Sequence, residues 1–412
     1  MKYPHFHREP NRIDVEEIAS ISRKKVLITG GGHAELPLIA SAQSLGYYVI
    51  STGNNFNGPG HIASDAYVPG DFSDREFVLS LAKDLGVCGI ISGCNDFAYL
   101  STAYACEKLG LPGHDSYETS CHVHHKNEFR DAMESAGIRT PGKHRCEKVS
   151  DIDDAINELG LPIVIKPVDL TGGKGVVVCN SCEQAKAAFE NAIMITREGF
   201  IIAEEYIDGT NHGATCLIKN GKVVFHMEDR EQYGSNKYLV AGAATPSLLP
   251  QSIIDELISQ IEKVSQYLGL CDGLFHVQFI VDKQGPVLID PCRRTPGDLY
   301  ILLAFYTTEV DYAMQIVRAE LGLGIDDHYD MAHNIIAREC ILPDKSGHIK
   351  NIIIDDEVTS HKVSSYVWAE IGDEVEDSMK YRGGIIVTKF ASVEEQQRFL
   401  DEYSLHCRIE VE

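Results

Sequence analysis

The stretch from Phe275 to Asp298, FHVQFIVDKQGPVLIDPCRRTPGD, constrains the chain more than any other. Apolar residues alternate from Phe275 to Val281 and again from Pro286 to Ile289, with the polar link Asp282-Lys283-Gln284-Gly285 between them. Period-2 alternation gives strands, and a short Gly-bearing link folds two strands into a hairpin. Gln278 then lies in the first strand and Asp290 ends the second, so the pairing can set them side by side on one face. Oxygen ligands converging there, followed at once by Arg293 and Arg294, suit a Mg²⁺-polyphosphate centre. Magnesium takes oxygen ligands shared with phosphates, and a fixed guanidinium neutralises a transferring phosphoryl group. An edge hairpin with a capping Asp and a solvated Arg pair reads equally well from this stretch alone.

The remainder of the chain narrows the choice. Its 412 residues suffice for two or three domains, and 44% hydrophobic with 24% charged residues is ordinary for a globular enzyme. A formal net charge of −24 argues against a nucleic-acid or anionic-membrane surface, since both need a basic footprint. The first twenty residues lack an apolar core, and no run approaches the ~18 apolar residues of a membrane span. The expectation is a cytoplasmic protein. Most of the twelve Cys sit in apolar surroundings, where free Cys behaves as a small hydrophobe, and the lone Cys179-x-x-Cys182 lacks a second pair. The dense histidines His122, His124 and His125 read as a polar helix start rather than a metal site.

Lys24 to Thr29 is a buried strand running into Gly30-Gly31-Gly32. A helix follows from about Glu35 to Leu45, then a strand from Tyr47 to Ser51. This βαβ pattern repeats, with Ser73-Asp74-Arg75-Glu76 as a capping box and Val87 to Ser92 as a further strand, which makes a doubly wound α/β domain. A dinucleotide fingerprint would need a third Gly where Glu35 stands and an acid closing the second strand, where Ser51-Thr52-Gly53 stands. Further on, a helix from about His125 to Ala136 carries Lys126. The short strand Ile163-Val164-Ile165-Lys166 carries a lysine whose burial calls for a partner, and a phosphate is a natural one. The loop Thr171-Gly172-Gly173-Lys174-Gly175 joins two strands and can turn backbone amides on an anion. It lacks the Walker spacing. Phe200 to Ile207 is a strand ending in Glu204 and Glu205, and Asn220-Gly221 marks another hairpin.

Taken in order, Lys126, Lys166, the TGGKG loop, the AEEYIDG segment, Gln278, Asp290 and Arg294 resemble the ATP-grasp superfamily, closest to its carbamoyl-phosphate synthetase, biotin carboxylase and amino-acid ligase branch. The resemblance implies an α/β and α+β architecture in three parts. They are an N-terminal doubly wound pre-ATP-grasp domain (1–118), a two-lobed ATP-grasp domain (119–328, lid lobe about 143–207) and a small α+β C-terminal domain (329–412). It implies that Lys126 and Lys166 hold ATP phosphates beneath Gly172, Gly173 and Gly175, and that Glu204, Glu205, Tyr206 and Ile207 meet adenine. Asn211 falls where a ribose contact is expected. Gln278 and Asp290 match the pair bridging Mg²⁺ (or Mn²⁺). Arg294, with Lys174, matches the catalytic positions. Glu228, Arg230, Arg293, Gly297 and Asp298 are the acceptor-side candidates. Cys292 departs from the family's Asn and is a poor ligand for a hard cation.

The implied function is an ADP-forming carboxylate–amine ligase working through an acyl phosphate on small molecules such as amino acids. A small-molecule kinase, a purine- or bicarbonate-type synthetase and a nucleotide-binding regulatory module stand as alternatives. The implied partners are a small carboxylate and an amine, with neither nucleic acid nor membrane, and the resemblance is compatible with a homodimer.

Overall fold

The structure is a computed structural model that describes residues 9–170, 173 and 175–412. The N-terminal part is a four-stranded parallel sheet in the order Ala66–Pro69, Tyr48–Gly53, Lys25–Thr29, Ile90–Ser92. Its strands are buried almost throughout, as parallel strands covered by helices on both faces must be. Asp74, rather than Ser73, caps the helix Arg75–Leu85, accepting from the amides of Glu76 and Phe77. The glycine turn serves packing. The Glu35 carboxylate folds back over Gly30 and accepts from Cys94 N at 2.8 Å, while Gly60 N donates to Gly31 O at 2.8 Å.

Two helices, Tyr117–His124 and Lys126–Ser135, lead out of this domain where a single one was expected. The stretch expected as a lid lobe folds as a four-stranded antiparallel sheet, labelled the lid sheet, in the order Lys143–Cys146, Ile201–Glu205, Ile163–Pro167, Val177–Cys179. Helices Asp151–Leu159 and Cys182–Ile195 bury Ile152, Ala155, Ala185 and Phe189 against Ile163, Ile165, Ile201 and Ala203.

The central sheet is antiparallel, in the order Lys222–Glu228, Thr210–Lys219, Gly273–Asp282, Gly285–Cys292. Its two hairpins fall where the turn chemistry put them. At the first, Asn220 (φ 51°) and Gly221 (φ 70°) are both left-handed, the requirement of a type I′ turn. Helix Gln251–Leu268 covers one face with Leu257, Ile261 and Val264. The apolar run after the hairpin folds into helices Tyr300–Thr308 and Tyr312–Glu320, whose side chains fill the largest core.

The boundary expected near residue 328 does not divide the sheets. Strands Arg230–Tyr233 and Val240–Thr245 pair onward with Ile335–Cys340, Gly384–Phe390 and Lys362–Val367, in one five-stranded antiparallel sheet. A three-stranded sheet of Glu374–Val375, Gly347–Ile354 and Cys407–Val411, with helix Val393–His406, closes the chain. Among the described residues no helix is long and apolar enough to cross a membrane.

Buried polar clasps hold these parts together. Arg293 Nε donates to Asp115 Oδ2 at 2.8 Å, and its other nitrogens donate to the carbonyls of Leu274 and, at 2.7 Å, Cys271. Asp115 also accepts from Cys271 N at 2.7 Å. Glu320 accepts from Ser92 N at 2.8 Å and from the Ser92 hydroxyl, tying the parallel sheet to the second helix pair. Removing one partner of a buried ion pair leaves the other charge stranded, at a cost of about 3–5 kcal/mol. Arg293→Ala is therefore expected to lower unfolding stability by about 3 kcal/mol or more. Equilibrium urea unfolding of the variant beside the unaltered chain measures it.

Candidate active site

A cleft of about 550 Å³ lies between the lid sheet and the central sheet. Lys126 opens the helix Lys126–Ser135, and its backbone N donates to Val168 O at 3.1 Å. Its ammonium spans the cleft floor, 3.2 Å from Asp290 Oδ1 and bonded to Leu170 O. Lys166 enters from the opposite wall. The partner that its burial calls for is, within the protein, Glu204.

Glu204 lines the cleft with its carboxylate already engaged. Its carboxylate lies between Lys166 and Arg130 Nε, the latter at 3.1 Å, and Arg130 also donates to Ile289 O at 2.7 Å. Burial pushes the Glu204 carboxyl up, but Arg130 and Lys166 together outweigh it and hold it below its usual value. Burial lowers Lys166 to about 8 despite Glu204. Glu205 is exposed, lines the cleft and accepts from Gly142 N at 3.2 Å. Tyr206, Ile207 and Asn211 line the cleft.

Of the glycine loop, Gly173 lines the cleft, whereas Gly172 and Lys174 lie outside the described residues. Gly173 has φ +75°, and a Cβ there would collide with Tyr238 O, so only glycine fits. Val178 N donates to the Tyr238 hydroxyl at 3.3 Å, which fastens the segment around Tyr238 to the lid sheet.

Gln278 and Asp290 stand directly opposite each other across the hairpin. Gln278 donates its amide N–H to Glu231, a residue the sequence reading passed over. Burial, helped by Asp229, raises the Glu231 carboxyl to about 7. Glu231 with Gln278 and Asp290 lines both the cleft and a second cavity of about 280 Å³ behind it. Arg294, Gly297 and Asp298 line that second cavity too. Arg294 grips Asp96 with two bonds, Nε to Oδ1 at 3.2 Å and Nη2 to Oδ2 at 3.1 Å. Asp96 also bonds His124 Nδ1 at 2.8 Å. Because Arg293 N donates to His124 Nε2, Nδ1 carries the proton. Burial raises Asp96, yet Arg294 and His124 pull it well below the carboxylate range. Asp229, raised by burial to about 6, accepts from the Tyr300 hydroxyl and from Gly213 N.

Three acceptor-side candidates sit elsewhere. Arg293 is buried and committed to Asp115 and two carbonyls. Arg230 reaches the C-terminal helix, donating to Gln396, to Gln397 at 3.0 Å and to Pro246 O at 3.1 Å. Glu228 pairs with His226 at 2.7 Å in a different cavity. Along Glu228-Asp229-Arg230-Glu231 it is the odd residues that face the two site cavities.

The donor set fits magnesium. Asp290, the Gln278 amide and Glu231 offer oxygens along the wall shared by the two cavities, whereas Cys292 is buried with its thiol pushed up to about 12 and does not compete. Among the described residues no group of three His, Cys, Asp or Glu could hold a metal alone. Phosphate oxygens would complete the shell, as is usual for this ion.

Residues 124–297 match the family model described as phosphoribosylglycinamide synthetase, ATP-grasp (A) domain. Curated relatives include alanine–anticapsin ligase of Bacillus subtilis (strain 168), 24% identical over 244 residues, covering 54% of this chain and 51% of that protein. Phosphoribosylamine–glycine ligase of Leifsonia xyli subsp. xyli is 25% identical over 253 residues, 58% of each chain. The chain thus spans about half the length of these relatives. The crystal structure of L-amino acid ligase from Bacillus licheniformis superposes with a TM-score of 0.81 at 20% identity, over 95% of this chain and 100% of that one. Residues 124–297 thus match an ATP-grasp domain, and the chain shares its fold with the L-amino acid ligase.

Loss of the Lys166 proton above pH ~8 removes a positive charge from the cleft wall. Affinity for a nucleotide triphosphate analogue is expected to fall about tenfold from pH 7 to 9.5, the size of one charge-assisted hydrogen bond. Lys166→Arg, which stays charged, should flatten that profile in calorimetric titrations. The folding sign is opposite. The unfolded lysine keeps its proton up to about 10.5, so between about 8 and 10.5 stability without nucleotide rises with pH.

Proposed function

We propose that this chain is an ATP-dependent, ADP-forming ligase that joins a small carboxylate to an amine through an acyl phosphate. The observation that carries the reading is the shared wall of the two cavities. Glu231, Gln278 and Asp290 face both, so a γ-phosphate placed in the cleft abuts a molecule placed behind it. A kinase or ligase needs that adjacency, and a binding module does not.

In this reading Lys126 and Lys166 meet phosphate oxygens from the floor and the lid wall, exchanging part of their contact with Asp290 and Glu204. Magnesium, when bound, neutralises charge between the phosphates and the attacking carboxylate. The carboxylate oxygen bonds to the γ-phosphorus and the bond to the β-γ bridging oxygen breaks, releasing ADP. The amine then attacks the acyl carbon, the C–N bond forms, and phosphate leaves with the C–O electron pair. Arg294, fixed by two bonds to Asp96, lines the second cavity and is placed to stabilise the oxyanion and the leaving phosphate. The names of the amino-acid and anticapsin ligases among its relatives support carbon–nitrogen bond formation. The buried Cys292 thiol, in place of a second metal-binding oxygen, keeps a kinase that stops at the phosphorylated product as the alternative.

The test is turnover of Mg-ATP with pooled amino acids and small carboxylates, read by phosphorus NMR and mass spectrometry. ADP, phosphate and a new mass equal to acid plus amine minus water are expected. A stable phosphorylated acceptor would favour the kinase, and AMP with pyrophosphate would contradict both. Asp290→Asn and Arg294→Met should each lower kcat about 100-fold or more, the scale of one lost transition-state electrostatic partner.

A further inference from the structure

Among the described residues three arginines are deeply buried: Arg130, Arg293 and Arg338. Two of them are matched by carboxylates, Arg130 by Glu204 at 3.1 Å and Arg293 by Asp115 at 2.8 Å. Arg338, 2% exposed, forms no ion pair among the described residues. One terminal nitrogen donates to Asp298 O at 2.9 Å and lies 3.9 Å from the Cys340 thiol, while its buried Nε has no partner. The carboxylates of Asp298, Glu339 and Asp229 act on it without forming an ion pair, and a buried guanidinium left so is costly in a protein interior. This one lines the second cavity.

Its placement is rigid. Arg338 sits mid-strand in Ile335–Cys340, opposite Ala243 on one side and Val387 on the other. The carbonyl that steadies it belongs to Asp298, which with Leu299 adopts left-handed backbone angles (φ 54° and 51°). Such non-glycine strain persists where the surroundings over-determine it, and it gathers at ligand sites.

The rest of the cavity limits what a cationic anchor there could serve. At about 280 Å³ it lies at the small end of the roughly 300–1,000 Å³ usual for ligand pockets. Its wall carries Asp96, Asp229, Glu231, Asp290 and Asp298 and no lysine among the described residues. Arg294 is already held by Asp96. A phosphorylated sugar would meet an acidic wall with one guanidinium outside any ion pair. A small zwitterion would set its ammonium among the acids and its carboxylate on Arg338.

The geometry points to Arg338 as the specificity anchor of the second cavity, binding the free, non-reacting carboxylate of an amino-acid-sized substrate. This rests on reading that cavity as the substrate chamber of the ligase. A guanidinium fork offers a carboxylate two parallel bonds, which an amide cannot accept in the same form.

The test reads binding without turnover. The twenty protein amino acids, each paired with its carboxamide, are titrated by calorimetry into the full chain holding MgADP. At least one acid is expected to bind, with its carboxamide about 30-fold or more weaker, the scale of a charge-assisted bidentate contact. Arg338→Gln should weaken the acid by a similar factor and leave the carboxamide unchanged, and Arg338→Lys should recover part of the loss. Binding of no acid, equal binding of acid and carboxamide, or equal weakening of both by Arg338→Gln overturns the proposal. The acid–carboxamide comparison needs only the unaltered chain, so it stands even where a variant misfolds. Binding of an acid as expected, with no condensation product in the turnover assay, would sink the ligase reading and leave the anchor standing.

Discussion

The buried carboxylate of Glu204 sets the geometry on which the site depends. It comes from the lid sheet, neutralises Lys166 on the neighbouring lid strand and reaches Arg130 on the helix that begins with Lys126. Arg130 then bonds Ile289 O, one residue before Asp290. One charge cluster thereby links the lid, the phosphate-side helix and the hairpin. Without Glu204 two buried cations would face each other in low dielectric, which no packing gain offsets. With it, two lysines are held at the edge of the cleft.

The same principle organises the second cavity. Asp96, at the start of a helix in the parallel domain, holds Arg294 with two bonds, and His124 on the linking helix holds Asp96. The N-terminal domain is therefore part of the site, because it positions a guanidinium that lines the second cavity. Asp115 and Glu320 fasten the same domain from behind. Glu231, kept partly protonated near neutrality by burial and by Asp229, joins the two cavities.

Local patterns in the sequence disclosed the frame. The 275–292 hairpin and the Asn220-Gly221 hairpin follow from alternation and turn chemistry within a few residues, and both fold as read. The parallel domain follows from its strand–helix repeats, each closed by a glycine. Long-range pairings were not legible. Glu204 lies 74 residues from Arg130, and Arg294 lies 198 from Asp96, so no local spacing signals either partner. The run from Tyr300 to Glu320 lacks a continuous polar face because its helices are buried in the largest core, and periodicity therefore says little there. At Glu228 to Glu231 the composition was informative but the phase was not. Alternation puts Asp229 and Glu231 into the site and sends Glu228 and Arg230 away, and which pair faces inward depends on the neighbouring strands.

Transfer of oxygen from substrate to phosphate tests the central claim most directly, because an acyl phosphate requires the carboxylate oxygen to become a phosphate oxygen. Amino acids and small acids labelled with ¹⁸O in the carboxylate would be incubated with Mg-ATP and the chain, and the released phosphate analysed by mass spectrometry. The account predicts one ¹⁸O in each phosphate formed together with product. Unlabelled phosphate alongside product, or label recovered in AMP, would contradict it.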